Sequence, residues 1–171
     1  MREKVNFKSY TVSVFAENTP GVLHRITTLF TRRKVNIDSL TVSETERHGI
    51  SRFTVVFDMD ESTVKTVVKQ IARVIEVMDV FVTTAEDLVY CEVALIKVRT
   101  ESAQGRSEVE NLAHRYGATV THATEDYLFL RKAGYESEID SLRLLLESHG
   151  LEEFIRSGRI ALLKETARPA A

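Results

Sequence analysis

The sequence predicts an α+β protein built from two consecutive β-α-β-β-α-β units. Two observations carry this expectation. Apolar residues alternate between a period of two and a period near 3.6 in that order, and the whole order then occurs a second time. The repeat is one of pattern, not of residues.

In the first unit, "YTVSVFAE" sets Val12 and Val14 against Thr11 and Ser13, as a strand does. Val22, Ile26, Leu29 and Phe30 recur at helical spacing, with Arg25, Arg32 and Arg33 elsewhere on the surface. "NIDSLTVSE" and "ISRFTVVFD" are rich in β-branched residues and flank His48-Gly49, which reads as a hairpin. Val64, Val67, Val68 and Ile71 mark a second helix, opened by Asp60 and Glu61, whose charge suits a helix N-terminus. "EVMDVFVTT" closes the unit as a strand.

The second unit opens with the strand "VYCEVALIKVRT". Val109, Leu112, Ala113 and Tyr116 mark a helix that stops near Gly117. "ATVTHAT" and "YLFLRKA" form a hairpin around Glu125-Asp126. Ile139, Leu142, Leu145 and Leu146 mark another helix, ended by Gly150, and "LEEFIRSGRIALLKE" contains the final strand. Two split β-α-β units of the ferredoxin-like type in tandem are therefore expected. The boundary falls near Ala85 to Asp87, giving domains 1–85 and 86–165 and a flexible tail at 166–171. Both helices of such a unit lie on one face of the sheet. The third strand is apolar on both sides (Phe53, Val55 and Phe57 against Val56), so the other face needs a cover, from a partner protomer or the sister domain.

Composition narrows the function. An apolar content of 43% supports packed cores and argues against disorder. A net charge of −2 provides no broad field for nucleic acid or acidic lipid. The single Cys91 has no internal disulfide partner, which suits a reducing cytoplasm, and its alternation with Val89, Val93 and Leu95 suggests core packing. The basic "MREKVNFKSY" lacks the apolar run of a secretory signal, and no stretch reaches transmembrane length. His24, His48, His114, His122 and His149 are scattered without metal-ligand spacing. No phosphate loop or dinucleotide fingerprint is present, so no catalytic residues, metal or cofactor are expected on the chain. Arg156, Ser157 and Arg159 read as a solvated polar loop.

The first strand-to-helix turn, "ENTPGVL", is the candidate site. Thr19 can cap the helix and Pro20 fits its first position, but Val22 supplies no reciprocal carboxylate. Gly21, Val22 and Leu23 then present N–H groups at the positive end of a helix, and Gly21 has no Cβ to hold a ligand away. With no lysine or metal ligand near, a carboxylate suits this turn better than a phosphate ester. The matching turn of the second unit, "AQGRSEVENL", reads as closed by a Ser107–Glu110 capping box. Asn36, at the helix-to-strand junction "RRKVNID", carries an amide that can donate and accept, or simply serve the turn.

"ENTPGVLHRITTLFTRRKVNIDSLTV", "SRFTVVF" and "VKQIARVIEV", followed by "EVALIKV" at Glu92 to Val98 and "IRSGRIAL" at Ile155 to Leu162, resemble the regulatory small subunit of acetolactate synthase, also called acetohydroxyacid synthase. The resemblance runs from about Tyr10 to Lys164. It implies an N-terminal ACT domain, an ACT-like C-terminal domain and a homodimer that joins the catalytic large subunit. Such a subunit would activate the large subunit and confer feedback inhibition by a branched-chain amino acid, usually valine, bound between ACT domains of two protomers. Carried over by position, the effector-binding residues are Asn18, Gly21, Val22 and Leu23 on the turn, with Asn36 and Ile37 opposite. Thiamine diphosphate, magnesium and FAD are implied on the catalytic partner, none here. Relatives usually have Gly where this chain has Lys34, so either Lys34 is held in a left-handed conformation or the turn differs. The chain also has "ALLKET" where relatives often have Arg-Gly.

Two other functions fit the same element order. One is an RNA-binding module stacking bases on Phe53 and Phe57, disfavoured by the acidic balance. The other is an ACT sensor serving a different enzyme.

Overall fold

The computed structural model describes residues 7–164; the expected tail at 166–171 lies outside them. Backbone packing divides the chain into two compact units. Among the described residues, 7–89 together with 159–164 form one, and Tyr90–Gly158 the other. The expected boundary residues Ala85–Asp87 form a 3₁₀ turn.

The first unit runs β1 (Lys8–Glu17), α1 (Val22–Arg32), β2 (Ser39–Glu44), β3 (Ile50–Met59), α2 (Glu61–Ile71) and β4 (Val77–Thr83). Its sheet is antiparallel in the order β2-β3-β1-β4. Val12 pairs with Val55 and Val14 with Phe53, so these four point together to the helix side. There they meet Val22, Ile26 and Phe30 of α1 and Val64, Val67 and Ile71 of α2. Phe30 packs edge-to-face on Phe57 with centroids 5.1 Å apart. Each such fully buried side chain contributes roughly 1.5–3 kcal/mol of transfer free energy.

The opposite face is buried too, and its polar residues explain how. Thr11, Ser13 and Thr54 all lie inside. Arg159 enters at 6% exposure and donates from Nη1 to Thr11 Oγ1 at 3.1 Å. Half-buried Arg52 donates to Ser13 Oγ at 3.2 Å and to the Ala161 carbonyl, with its guanidinium 5.3 Å from the Phe15 ring. Burial lowers the Arg52 pKa, partly offset by Glu46. Cover inside this unit thus comes from the chain's own returning segment, Arg159 and Ala161, which the expected boundary had placed in the sister domain. Arg159 is not on a solvated loop.

The second unit holds β5 (Leu88–Arg99, its first two residues in the first unit), α3 (Ala103–Arg115), β6 (Thr119–Ala123), β7 (Tyr127–Gly134), α4 (Glu136–Glu147) and β8 (Leu151–Arg156). Strand order is β6-β7-β5-β8, and β9 (Ile160–Leu163) pairs with β5. The expected final strand is therefore two strands. The core joins Ala94, Ile96 and Val98 of β5 to Val109, Leu128, Leu130, Ile139, Leu142 and Leu146. Cys91 is only half-buried, and Val89 and Leu95 are exposed, so β5 turns the opposite face inward from the one expected. Apolar residues on both sides of β5 left alternation unable to tell the faces apart. Arg156 ties the unit's edge together through Glu92 (3.4 Å), Glu136 (3.1 Å) and Asp140 (3.3 Å).

Helix ends show what Lys34 does. The Val35 N–H reaches the Phe30 carbonyl and the Lys34 N–H reaches Thr31, both at 3.0 Å. This is a Schellman closure with Lys34 at the left-handed position (φ 55°), and buried Val35 packs in the same core as Phe30. The same closure ends α3, where Ala118 bonds to Ala113, and there the left-handed position is Gly117 (φ 65°). Lys34→Gly should therefore raise stability by roughly 0.5–1 kcal/mol, the left-handed penalty less the extra chain entropy of glycine; urea melts check this.

α2 is capped by Asp60, whose Oδ1 accepts from Thr63 N–H at 3.0 Å and Ser62 Oγ at 2.5 Å. Hydrogen bonds from Ser62 and Thr63 lower its pKa to about 2 from 3.8. A depressed folded-state pKa stabilises above the unfolded value and loses that stabilisation as pH falls through the folded one. Asp60→Ala should lower the melting temperature at pH 7, and the gap from wild type should close between about pH 4 and pH 2.

Candidate effector site at the two ends of the first helix

The turn between β1 and α1 is pinned from several sides. Asn18 N–H donates to the Gly49 carbonyl at 2.8 Å, Thr19 N–H to Glu17 at 2.9 Å, and Glu17 N–H to Glu76 at 2.9 Å. Thr19 does not cap the helix and Pro20 does not begin it. Gly21 takes the cap position in a left-handed conformation (φ 91°) with no side-chain cap, and α1 starts at Val22. A left-handed cap at Gly21 ends the extended approach of Thr19-Pro20 and sets the first helical turn two residues later than expected.

Which amides are open changes accordingly. Val22 N–H leans on the Thr19 carbonyl at 3.5 Å. The N–H groups of Gly21, Leu23 and His24 have no protein acceptor among the described residues. His24 was missed by the sequence reading because the helix was started too early. Of the side chains, Val22 is 1% exposed and serves the core, whereas Leu23 at 44% is free to meet a ligand. An apolar wall near this turn is therefore Leu23, not Val22. Asn18 is exposed.

Arg25 is a second omission. Its guanidinium lies 3.6 Å from where a Cβ on Gly21 would stand, and it pairs with Glu76 at 2.9 Å. The turn thus has a cation beside it, largely satisfied by Glu76. A singly charged carboxylate suits such a place better than a phosphate ester.

Asn36 and Ile37 lie just beyond the Schellman closure. Asn36 is exposed, and its Nδ2 is 3.5 Å from Asp38 Oδ1, so its amide is held only loosely. Ile37 is partly buried against the core. The eleven residues of α1 separate this end from Gly21 by roughly 16 Å. Within one chain the structure does not bring the two groups of residues together. Beyond Asn36, β2 forms an edge of the sheet.

The aromatic pair that suggested RNA binding is closed. Phe53 is 3% exposed and Phe57 0%, and both face the helices, so neither offers a stacking surface. Among the described residues, no cluster of three His, Cys, Asp or Glu could hold a metal ion, and no helix is long and apolar enough to cross a membrane.

An α+β unit of this topology, with a Pro-Gly turn ahead of its first helix, is of the ACT type, and residues 12–79 match the model of the "AHAS small subunit-like ACT domain". Residues 91–165 match "Small subunit of acetolactate synthase". The chain is 38% identical over 158 residues to the acetolactate synthase small subunit of Mycobacterium leprae (strain TN), covering 92% of this chain and 93% of that one. It is 34% identical over 161 residues to that of Bacillus subtilis (strain 168), covering 94% and 93%. The crystal structure of the acetolactate synthase small subunit from Thermotoga maritima superposes with a TM-score of 0.85 at 29% identity, covering 94% and 99%. The chain belongs to the acetolactate synthase small subunit family, and is a non-catalytic regulatory subunit. This sets aside both the RNA-binding reading and a sensor for a different enzyme.

The left-handed backbone at Gly21 makes a local prediction. Gly21→Ala should cost about 1–2 kcal/mol through φ alone, because its Cβ would meet only the Arg25 guanidinium at ordinary contact distance; denaturant midpoints measure it.

Proposed function

We propose that this subunit senses a branched-chain amino acid, valine foremost, and transmits its level to a thiamine-diphosphate-dependent catalytic large subunit in the cytoplasm. It activates that partner in the absence of effector and inhibits it when valine is bound. The partner carries the thiamine diphosphate, magnesium and FAD. One observation carries the reading. Open main-chain donors at Gly21, Leu23 and His24 and the loosely held amide of Asn36 occupy opposite ends of one helix. A ligand too small to span roughly 16 Å touches both only where two chains meet.

In that arrangement the effector carboxylate accepts from the turn of one protomer, with Asn18 at its edge and Leu23 against the aliphatic side chain. Asn36, backed by Ile37, reaches the amino acid from the other protomer. The edge strand β2, adjacent to Asn36, supports pairing of two copies, since an open sheet edge is a ready surface for a second chain. Because the ligand bridges two protomers, it favours whichever dimer arrangement lets both sides close on it. That differential affinity is the physical source of the inhibition.

Titration calorimetry of the full chain should show saturable valine binding. Asn36→Ala, an exposed substitution outside the core, should weaken it roughly 10- to 100-fold, as for loss of a hydrogen bond to a charged group. With the catalytic subunit added, valine should suppress acetolactate formation far less in the variant. Undiminished valine affinity in Asn36→Ala would refute the two-chain site.

A further inference from the structure

The first unit carries a cavity of about 420 Å³ lined by α2 and by the strands β1 and β4. Its walls are apolar. Val64 and Val68, one turn apart on α2, are both buried, and Val82 of β4 packs against the same core. Its rim is cationic. Glu61, Lys65 and Lys69 recur every four residues on α2 and form a row beside these valines, while Lys8 enters from β1. Glu61 pairs with Lys65 at 2.6 Å, and neither Lys8 nor Lys69 makes an ion pair among the described residues. Three ammonium groups and one carboxylate thus ring the cavity, in a chain whose net charge is −2.

Tyr10 is an independent pointer to a ligand. It lines the cavity from the same side of β1 as Val12 and Val14, and only 8% of it is exposed. Its hydroxyl has no hydrogen-bond partner among the described residues, yet it is not among the polar atoms sealed from solvent. The Lys65 pKa is raised first by Glu61 and to a smaller degree by the Tyr10 phenol. The Glu61 pKa is lowered first by Lys65 and to a smaller degree by Lys8. The phenol is therefore a neighbour of the charged groups at the rim. Phenylalanine would fill the same core space, so packing accounts for the ring and not for the open hydroxyl.

Charge and shape narrow what fits. An inorganic anion would leave the apolar walls wet, and a neutral apolar molecule would leave the ammonium groups unused. An α-amino acid would bring its own ammonium against three others. We propose that this cavity binds a small amphipathic monocarboxylate, an aliphatic acid without an amino group. Its chain lies against Val64, Val68 and Val82, and its carboxylate accepts from the Tyr10 hydroxyl and from Lys8 and Lys69. The volume is ample for such a molecule. The site shares no residue with the Gly21 turn or with Asn36, and it is independent of the valine reading.

The test is a methyl- and amide-resolved NMR titration of the full chain with hexanoate. Acetate supplies the charge alone and hexanol the chain alone. Hexanoate should shift the Val64, Val68 and Val82 methyls saturably while the Leu23 and His24 amides stay in place, and neither control should saturate at the same concentration. Tyr10→Phe keeps the ring in the core and should weaken hexanoate binding roughly tenfold, the loss of one hydrogen bond to a charged group. Lys8→Gln combined with Lys69→Gln, both at exposed positions, should weaken it at least as much. No saturable methyl shift, an equal response to hexanol or to acetate, or unaltered affinity in either variant would each overturn the proposal.

Discussion

The burial of α1 against the first sheet is the constraint on which this site depends. Val22, Ile26 and Phe30 are locked into the core, and with them the helix axis and both its ends. The turn before it cannot rotate its amides inward, because Asn18, Thr19 and Glu17 are tied to neighbouring backbone. The loop after it cannot swing Asn36 toward the turn, because Val35 is buried with Phe30. A rigid rod therefore presents a set of donors at one end and a carboxamide at the other. In the proposed effector site, that length is what calls for two copies of the chain.

The two units solve the same junction differently. Both go from a long central strand into a helix through a short turn. In the first, a left-handed glycine takes the cap position without any side-chain acceptor, and three amides stay open. In the second, Ser102 supplies an acceptor and two stay open. At the far end of the helix the contrast runs the other way: the second unit uses glycine at the left-handed closure and the first uses Lys34. A repeat of topology has been kept while the chemistry at each helix end diverged.

Much of the fold was legible in the sequence, for physical reasons that also explain the failures. Helix faces were clear because Val22, Ile26 and Phe30, or Ile139, Leu142 and Leu146, repeat at a spacing nothing else produces. The face of β5 was not, since apolar side chains occupy both sides and only three-dimensional packing selects Ala94, Ile96 and Val98. Helix starts failed at both turns. Thr19-Pro20 and Ser107 with Glu110 are good local signals, but the backbone began α1 at a left-handed glycine and α3 at Ser102, where packing set the helix axes. The candidate turn itself was found because Pro-Gly is rare punctuation. His24 and Arg25 were overlooked because their part depends on where the first helical turn begins. Arg159 looked like a loop residue because sequence distance hides its bond to Thr11.

That bond has a consequence for the order in which the molecule is made. Thr11 and Arg52 leave the ribosome early, yet the Arg159 guanidinium and Ala161 carbonyl that bond them are translated only after the whole second unit. Until then, the nascent first sheet has a finished front and a bare, hydroxyl-lined back. Completing it requires the chain to return across its own beginning, so the first unit is finished only after synthesis of the domain that follows it.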